Sequence, residues 1–155
     1  MNRYPLFFTH GRFVAGQGFM ARVEMNGRCI LEQTADDFWS VFGLNPGAAA
    51  GQGDCKDVAF RDFLDNVQFV VKAFAEDAAS FEEFDALVTE FFTATNPTSE
   101  SEWHDAVRRV RAGELSREDF ERQADAEVPP RLSIAQVAGP NVAANDSYAY
   151  SPDLN

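Results

Sequence analysis

Cysteine is scarce in this chain: Cys29 and Cys55 are the only two among 155 residues, and they form no spaced motif. No disulfide framework follows from such usage, which suits a reducing compartment. Long apolar runs are missing too. No stretch approaches the roughly 20 residues a membrane-spanning helix needs, and Met1 to His10 lacks the apolar core of a secretion signal. A cytoplasmic location is expected. Positive charge is the third shortage, with 13 Lys and Arg against 25 Asp and Glu and a formal net charge of -12.

The imbalance is uneven along the chain. Between Met1 and Arg28, Arg3, Arg12, Arg22 and Arg28 face only Glu24. Between Gly53 and Phe91 the sign reverses: Asp54, Asp57, Asp62, Asp65, Glu76, Asp77, Glu82, Glu83, Asp85 and Glu90 face only Lys56, Arg61 and Lys72. Direct nucleic-acid binding is disfavoured, because its affinity rests on Lys and Arg displacing counterions from phosphates. A basic protein partner fits this surface. Asp57, Asp62, Asp65, Glu82, Asp85 and Glu90 are the candidate partner-binding residues, since they fall opposite the apolar stripes of their segments.

What is abundant is phenylalanine, 15 residues of it, and each aromatic ring removes about 150–250 Å² from water when buried. A chain of this length with that payload supports one domain with a real core. Residues 1–137 are assigned to it, with a helical extension over about 98–137, and 138–155 read as a tail of low hydrophobic density. The segment Phe19–Met25 alternates as a half-buried strand. Asn26-Gly27 then predicts a two-residue hairpin turn, with Arg28–Gln33 returning antiparallel. Leu6–Phe8 or Arg12–Val14 supplies an earlier edge strand, and Asp36-Asp37 turns the chain into the aromatic strand Phe38–Phe42.

A Gly/Pro-rich loop over Gly43–Asp54 leads to a helix from Cys55 to about Asp77, with Asp54 expected as N-cap and Asp57 in the first turn. Phe60, Phe63, Leu64, Val67, Val71 and Phe74 form its apolar stripe. Ser80 and Glu83 form a capping box for a second helix that buries Phe84, Leu87, Val88 and Phe91. A loop over Thr95–Ser101 precedes a third helix, Glu102 to about Ala112, that turns Trp103, Ala106, Val107 and Val110 inward and is closed by Gly113. A short helix over Ser116–Ala124 and a late strand over Leu132–Val137 complete the reading. The expected fold is α+β: an antiparallel sheet of three to five strands, the long helix on one face, and further helices toward the C-terminus.

Chemical motifs are weak. The loop ending at Gly51 continues with Gln52, Gly53 and Asp54 instead of the Lys and Ser/Thr of a phosphate loop, and Gly16–Ala21 enters a strand where a dinucleotide fingerprint would open a helix. Glu24, Glu32, Asp36 and Asp37 are the carboxylates a metal-dependent hydrolase would use. Glu24 lies on the polar side of an alternation, and the Asp pair occupies a turn. Cys55, His10 and His104 have no local partners and read as surface residues. No catalytic set, metal site or cofactor is expected, and the chain reads as a non-enzyme.

Taken in order, a turn, the Trp39-containing strand, Pro46-Gly47, Gly53-Asp54 and the helix from Val58 resemble the HicB-like antitoxin domain over roughly Gly18 to Phe92. The resemblance implies a toxin-binding half of a toxin–antitoxin pair, one that blocks a small basic RNA-cleaving protein. Many such antitoxins continue into a DNA-binding module, whereas here the only basic cluster after Pro97 is Arg108-Arg109-Val110-Arg111, diluted by neighbouring acids. The leading reading is therefore a non-enzymatic inhibitor or regulator of a basic protein. A second is an acidic nucleic-acid mimic inhibiting a CRISPR or restriction system. A third is a carboxylate-dependent hydrolase on the reduced ribonuclease H-like fold with which HicB-like domains are compared. The sheet edge near Leu6 to Val14 is the alternative interface, for a homodimer.

Overall fold

Thirteen consecutive pairs join the first two strands, and they set the frame for everything else. The computed structural model describes residues 3–34, 37–115, 124 and 127–138. Strand β1 (Arg3–Ala15) runs antiparallel to β2 (Met20–Thr34), from Arg3 opposite Glu32 to Ala15 opposite Met20. The turn lies at Gly16–Phe19, where the Gly16 amide donates to the Phe19 carbonyl at 2.9 Å and Gly18 takes φ +80°. Asn26-Gly27, expected as the turn, sits instead in the middle of β2, opposite Thr9 and Phe8. Its local preference loses to continuous pairing that buries Leu6, Phe8, Val23 and Met25. Gly27 serves a close approach: a Cβ there would lie 2.1 Å from the Asn45 carbonyl. Both candidate edge segments thus belong to the single strand β1.

Asp37, at φ 62°, carries the chain into β3 (Phe38–Asn45); Asp36 lies outside the described residues. The expected loop over Gly43–Asp54 is mostly strand. Gly43–Asn45 end β3, a cis Asn45–Pro46 bond opens the turn, and β4 (Ala50–Gly53) pairs back from Trp39 opposite Gly53 to Phe42 opposite Ala50. Glycine permits this because helix α1 (Lys56–Asp77) lies directly on β4: a Cβ on Gly51 would fall 2.3 Å from the Phe63 amide nitrogen and 2.6 Å from the Ala59 carbonyl. The helix begins at Lys56, with Cys55 at the N-cap and no side-chain capping bond, so Asp54 is not the cap. Asp57 is in the first turn as expected.

Helix α1 packs Ala59, Phe60, Phe63, Val67, Val71 and Ala75 toward the sheet. Leu64 and Phe74 are only partly buried, because the contact face is centred one position away from them; the Phe74 ring meets Phe91 at 5.7 Å. Helix α2 (Phe81–Thr93) starts as read from sequence, with Ser80 Oγ accepting from the Glu83 amide at 3.1 Å. It buries Phe84, Val88 and Phe92, while Leu87 and Phe91 pack partly exposed. Helix α3 (Pro97–Arg111) begins five residues before the expected Glu102. Asn96 caps it, accepting from the Ser99 amide at 2.8 Å, and Pro97 occupies the first turn, where its missing N–H costs nothing. Gly113 follows the helix at φ +75°.

The strand expected over Leu132–Val137 is β5 (Arg131–Ala138), antiparallel to β2. The fold is α+β, a five-stranded antiparallel sheet with the long helix on one face. Alternation splits the sheet residues between two layers. Leu6, Phe8, Cys29, Leu31 and Val41 meet α1 and α2, whereas Phe7, Ile30 and Leu44 meet Trp103 and Val107 of α3 on the opposite face. No helix of the described residues is long and apolar enough to cross a membrane. The expected helix over Ser116–Ala124 lies outside the described residues except for Ala124, and so does the tail beyond Ala138.

Candidate functional site

Strand β2 changes partner along one edge. Residues Met20–Asn26 pair with β5, residues Arg28–Thr34 pair with β3, and a register irregularity sits between Arg28 and Cys29. The end of β3 at Asn45 therefore meets the start of β5 at Arg131. Polar groups gather at this junction. Arg28, 8 % exposed, donates from Nε and Nη2 to Asn45 Oδ1 at 2.9 and 2.7 Å, and from Nη2 and Nη1 to the Glu100 carboxylate at 2.5 and 3.2 Å. Its guanidinium also lies 5.6 Å from the Trp103 ring. Asn45 Nδ2 donates to the Phe92 carbonyl at 3.1 Å, so the cluster ties β2, β3, α2 and α3 together.

Two cavities flank the cluster. One, about 350 Å³, lies between α2 and the start of β5, with Asn45, Asp85, Thr89, Phe92, Leu132 and Ile134 among its walls. The other, about 310 Å³, lies over Phe7, Thr9, Asn26 and Arg28 and is closed by Val128–Arg131. Sequence reasoning missed Arg28, Asn45 and Glu100 as a unit. No local pattern links residues 17 and 72 positions apart.

The six candidate acids divide by environment. Asp57, Asp65, Glu82 and Glu90 are exposed on α1 and α2, and among the described residues no cation pairs with them. Asp62 differs: its Oδ2 accepts from the Gln52 amide at 3.0 Å, while Asn66 Nδ2 donates to the Ala50 carbonyl at 2.7 Å. These two side chains satisfy the outer edge of β4, so Asp62 holds the fold together and is not a free surface charge. Asp85 is half-buried, accepts from Thr89 Oγ1 at 3.1 Å, and alone of the six lines a described cavity. The outer face of α1 also carries Phe69, 73 % exposed, one turn beyond Asp65. No apolar pattern marks it, because its position faces solvent.

Of the carboxylates weighed for hydrolysis, the described Glu24, Glu32 and Asp37 form no common group. Glu24 pairs with Arg22 at 2.9 Å and Glu32 with Arg3 at 3.0 Å. They stand eight positions apart along β2, about 26 Å at strand rise. Asp37 accepts instead from Gln33 at 3.3 Å. Among the described residues no three His, Cys, Asp or Glu form a group able to hold a metal ion. His10, expected on the surface, is buried at 5 % exposure with no partner for Nε2. Its place in the core-facing alternation of β1, after Leu6 and Phe8, explains this, and burial followed by the Arg12 charge lowers its pKa from 6.5. His104 is exposed, its Nδ1 2.6 Å from Glu127. Cys55 is exposed and Cys29 buried. In the basic cluster, Arg108 bonds Asp105 and Glu114 at 3.1 and 2.7 Å.

Along the outer edge of β1 no described strand pairs. Ala124 donates to the Pro5 carbonyl at 2.6 Å, and beyond it Thr9 to Phe13 stay open except for buried His10. No family model, curated protein or solved structure matches the chain.

Proposed function

We propose that this chain is a non-enzymatic, HicB-like binding protein that inhibits or regulates a basic protein partner. The observation that carries the reading is the solvent face of α1 and α2, where Asp57, Asp65, Glu82 and Glu90 stand exposed and unpaired among the described residues. A field of one sign speeds encounter with an oppositely charged protein and disfavours partners of like charge. Phe69 adds what charge alone does not supply, an exposed aromatic side chain of the kind that anchors interfaces. The order of three antiparallel strands, a Pro/Gly turn, the short strand β4 and a long helix supports the HicB-like reading through Trp39, Pro46-Gly47 and Gly53.

The test is kinetic. The partner, isolated by cross-linking, is mixed with wild-type protein and with a variant carrying Asp57→Lys, Asp65→Lys, Glu82→Lys and Glu90→Lys. Association of the wild type should slow as salt shortens the screening length to about 8 Å at physiological strength, and the variant should associate more slowly with a shallower salt dependence. Equal rates and equal salt dependence would refute the acidic face and move the interface to the β1 edge. For the absence of catalysis, the assay is labelled RNA and DNA with divalent metal, and turnover abolished by Glu24→Ala or Asp37→Ala would overturn the reading.

A further inference from the structure

We infer that the cavity between α2 and β5 receives one alkylammonium or guanidinium group, a Lys or Arg side chain of the basic partner, an assignment that rests on the partner reading above. Asp85 is the one acidic side chain, and no basic one is present, among the described residues lining this space. One of its oxygens accepts from Thr89 Oγ1, and no cation pairs with it among the described residues. Phe92, Pro130, Leu132 and Ile134 supply apolar walls, and Asn45, Thr89 and Thr93 supply polar ones. A carboxylate facing an apolar wall across a mixed cleft suits a ligand with a methylene stem and a cationic tip: the stem covers Leu132 and Ile134, and the tip reaches the acid with charge-assisted hydrogen bonds. At about 350 Å³ the cavity is near the lower end for ligand sites and admits one such chain.

The charges of the described residues leave Asp85 available for this role. Arg131 follows Pro130 but pairs opposite Asn26, on the other sheet face from Leu132. Arg28 lies behind Asn45, and its charge is already matched by Glu100. An anion would meet Asp85 unscreened, and a metal ion would find a single carboxylate. The exposed acids of α1 and α2 steer a basic partner from a distance; the Asp85 cavity holds one of its side chains in place.

Amide NMR titration with n-butylammonium, n-butylguanidinium and 1-butanol tests the site. Both cations should produce saturable shifts at Asp85, Thr89, Leu132 and Ile134, 1-butanol should produce much smaller ones, and Asp85→Asn should remove the difference while leaving the melting temperature unchanged. Equal responses to cation and alcohol, shifts spread over all acidic residues without saturation, or an unaltered response in Asp85→Asn would overturn the assignment. With the isolated partner, Asp85→Asn should speed dissociation about tenfold with little change in association, as loss of a sheltered charge contact does. Unchanged dissociation would refute the cavity's role even where the four-lysine variant associates slowly. Saturable cation binding combined with unchanged association of that variant would refute the acidic-face reading and retain the cavity.

Discussion

Replacing Glu100 by alanine should loosen α3 from the sheet junction, and its magnitude can be worked from the geometry. Arg28 keeps 10 % of its side-chain surface in water and Glu100 28 %. Breaking a fully buried pair costs about 3–5 kcal/mol because the surviving charge is stranded. Glu100 is partly hydrated and Arg28 would keep both bonds to Asn45 Oδ1 and its place beside Trp103, so about 2–3 kcal/mol is expected. For a chain of this size that corresponds to a melting temperature lower by about 4–12 °C. Urea unfolding followed by tryptophan fluorescence measures it, since Trp103 sits within the cluster. The denaturant slope should not change. Arg28→Met combined with Glu100→Leu should cost less than the sum of the two single substitutions, because both charges then leave together. A loss below about 0.5 kcal/mol for Glu100→Ala, the range of ordinary surface changes, would show that the pair is not coupled to folding. So would a loss that vanishes at about 1 M salt, where exposed pairs are screened.

Other outcomes follow from individual side chains. Phe63→Ala should cost about 3–5 kcal/mol through the cavity it leaves, whereas Phe69→Ser should stay within about 0.5 kcal/mol; thermal melts showing the reverse order would refute the assigned helix face. Asp62→Lys should destabilise by about 1 kcal/mol and speed hydrogen exchange at the Gln52 amide, the loss of one charge-assisted bond at a partly hydrated site, and Asp65→Lys should do neither. For His10 the folded pKa lies below the unfolded 6.5, so the folded protein binds fewer protons than the unfolded chain as pH falls. Its contribution is complete above 6.5 and is lost below it, at up to about 1.4 kcal/mol per pH unit. The stability difference between wild type and His10→Leu should therefore change below pH 6.5, and parallel pH profiles would sink the assignment.

Much of the architecture was legible because period carries face. Alternation over Phe19–Met25 and the three-to-four spacing of Phe60, Phe63, Val67 and Val71 each place a core side without knowledge of the partner, and the Ser80–Glu83 box reports its own cap. Asn26-Gly27 shows the limit. Its turn preference is a local free energy of modest size, and thirteen paired residues of β1 outweigh it. Gly51 and Gly53 read as loop in the sequence because glycine marks both flexible turns and backbones pressed together, and only the presence of α1 against β4 separates the two. His10 reads as a surface residue for a related reason: one polar residue does not reveal that its strand continues through it.

The candidate site divides the same way. Composition by itself determined the acidic character of the segment that became α1 and α2, since charge is a property of residue type and these residues sit off the apolar stripes. Which acids are exposed, which one closes the edge of β4 and which one faces a cavity depended on neighbours from β4 and β5. Arg28, Asn45 and Glu100 belong wholly to tertiary structure. Their contacts span long loops of sequence and carry no periodic signature, and they exist because β2 exchanges β5 for β3 at the point where α3 crosses the opposite face.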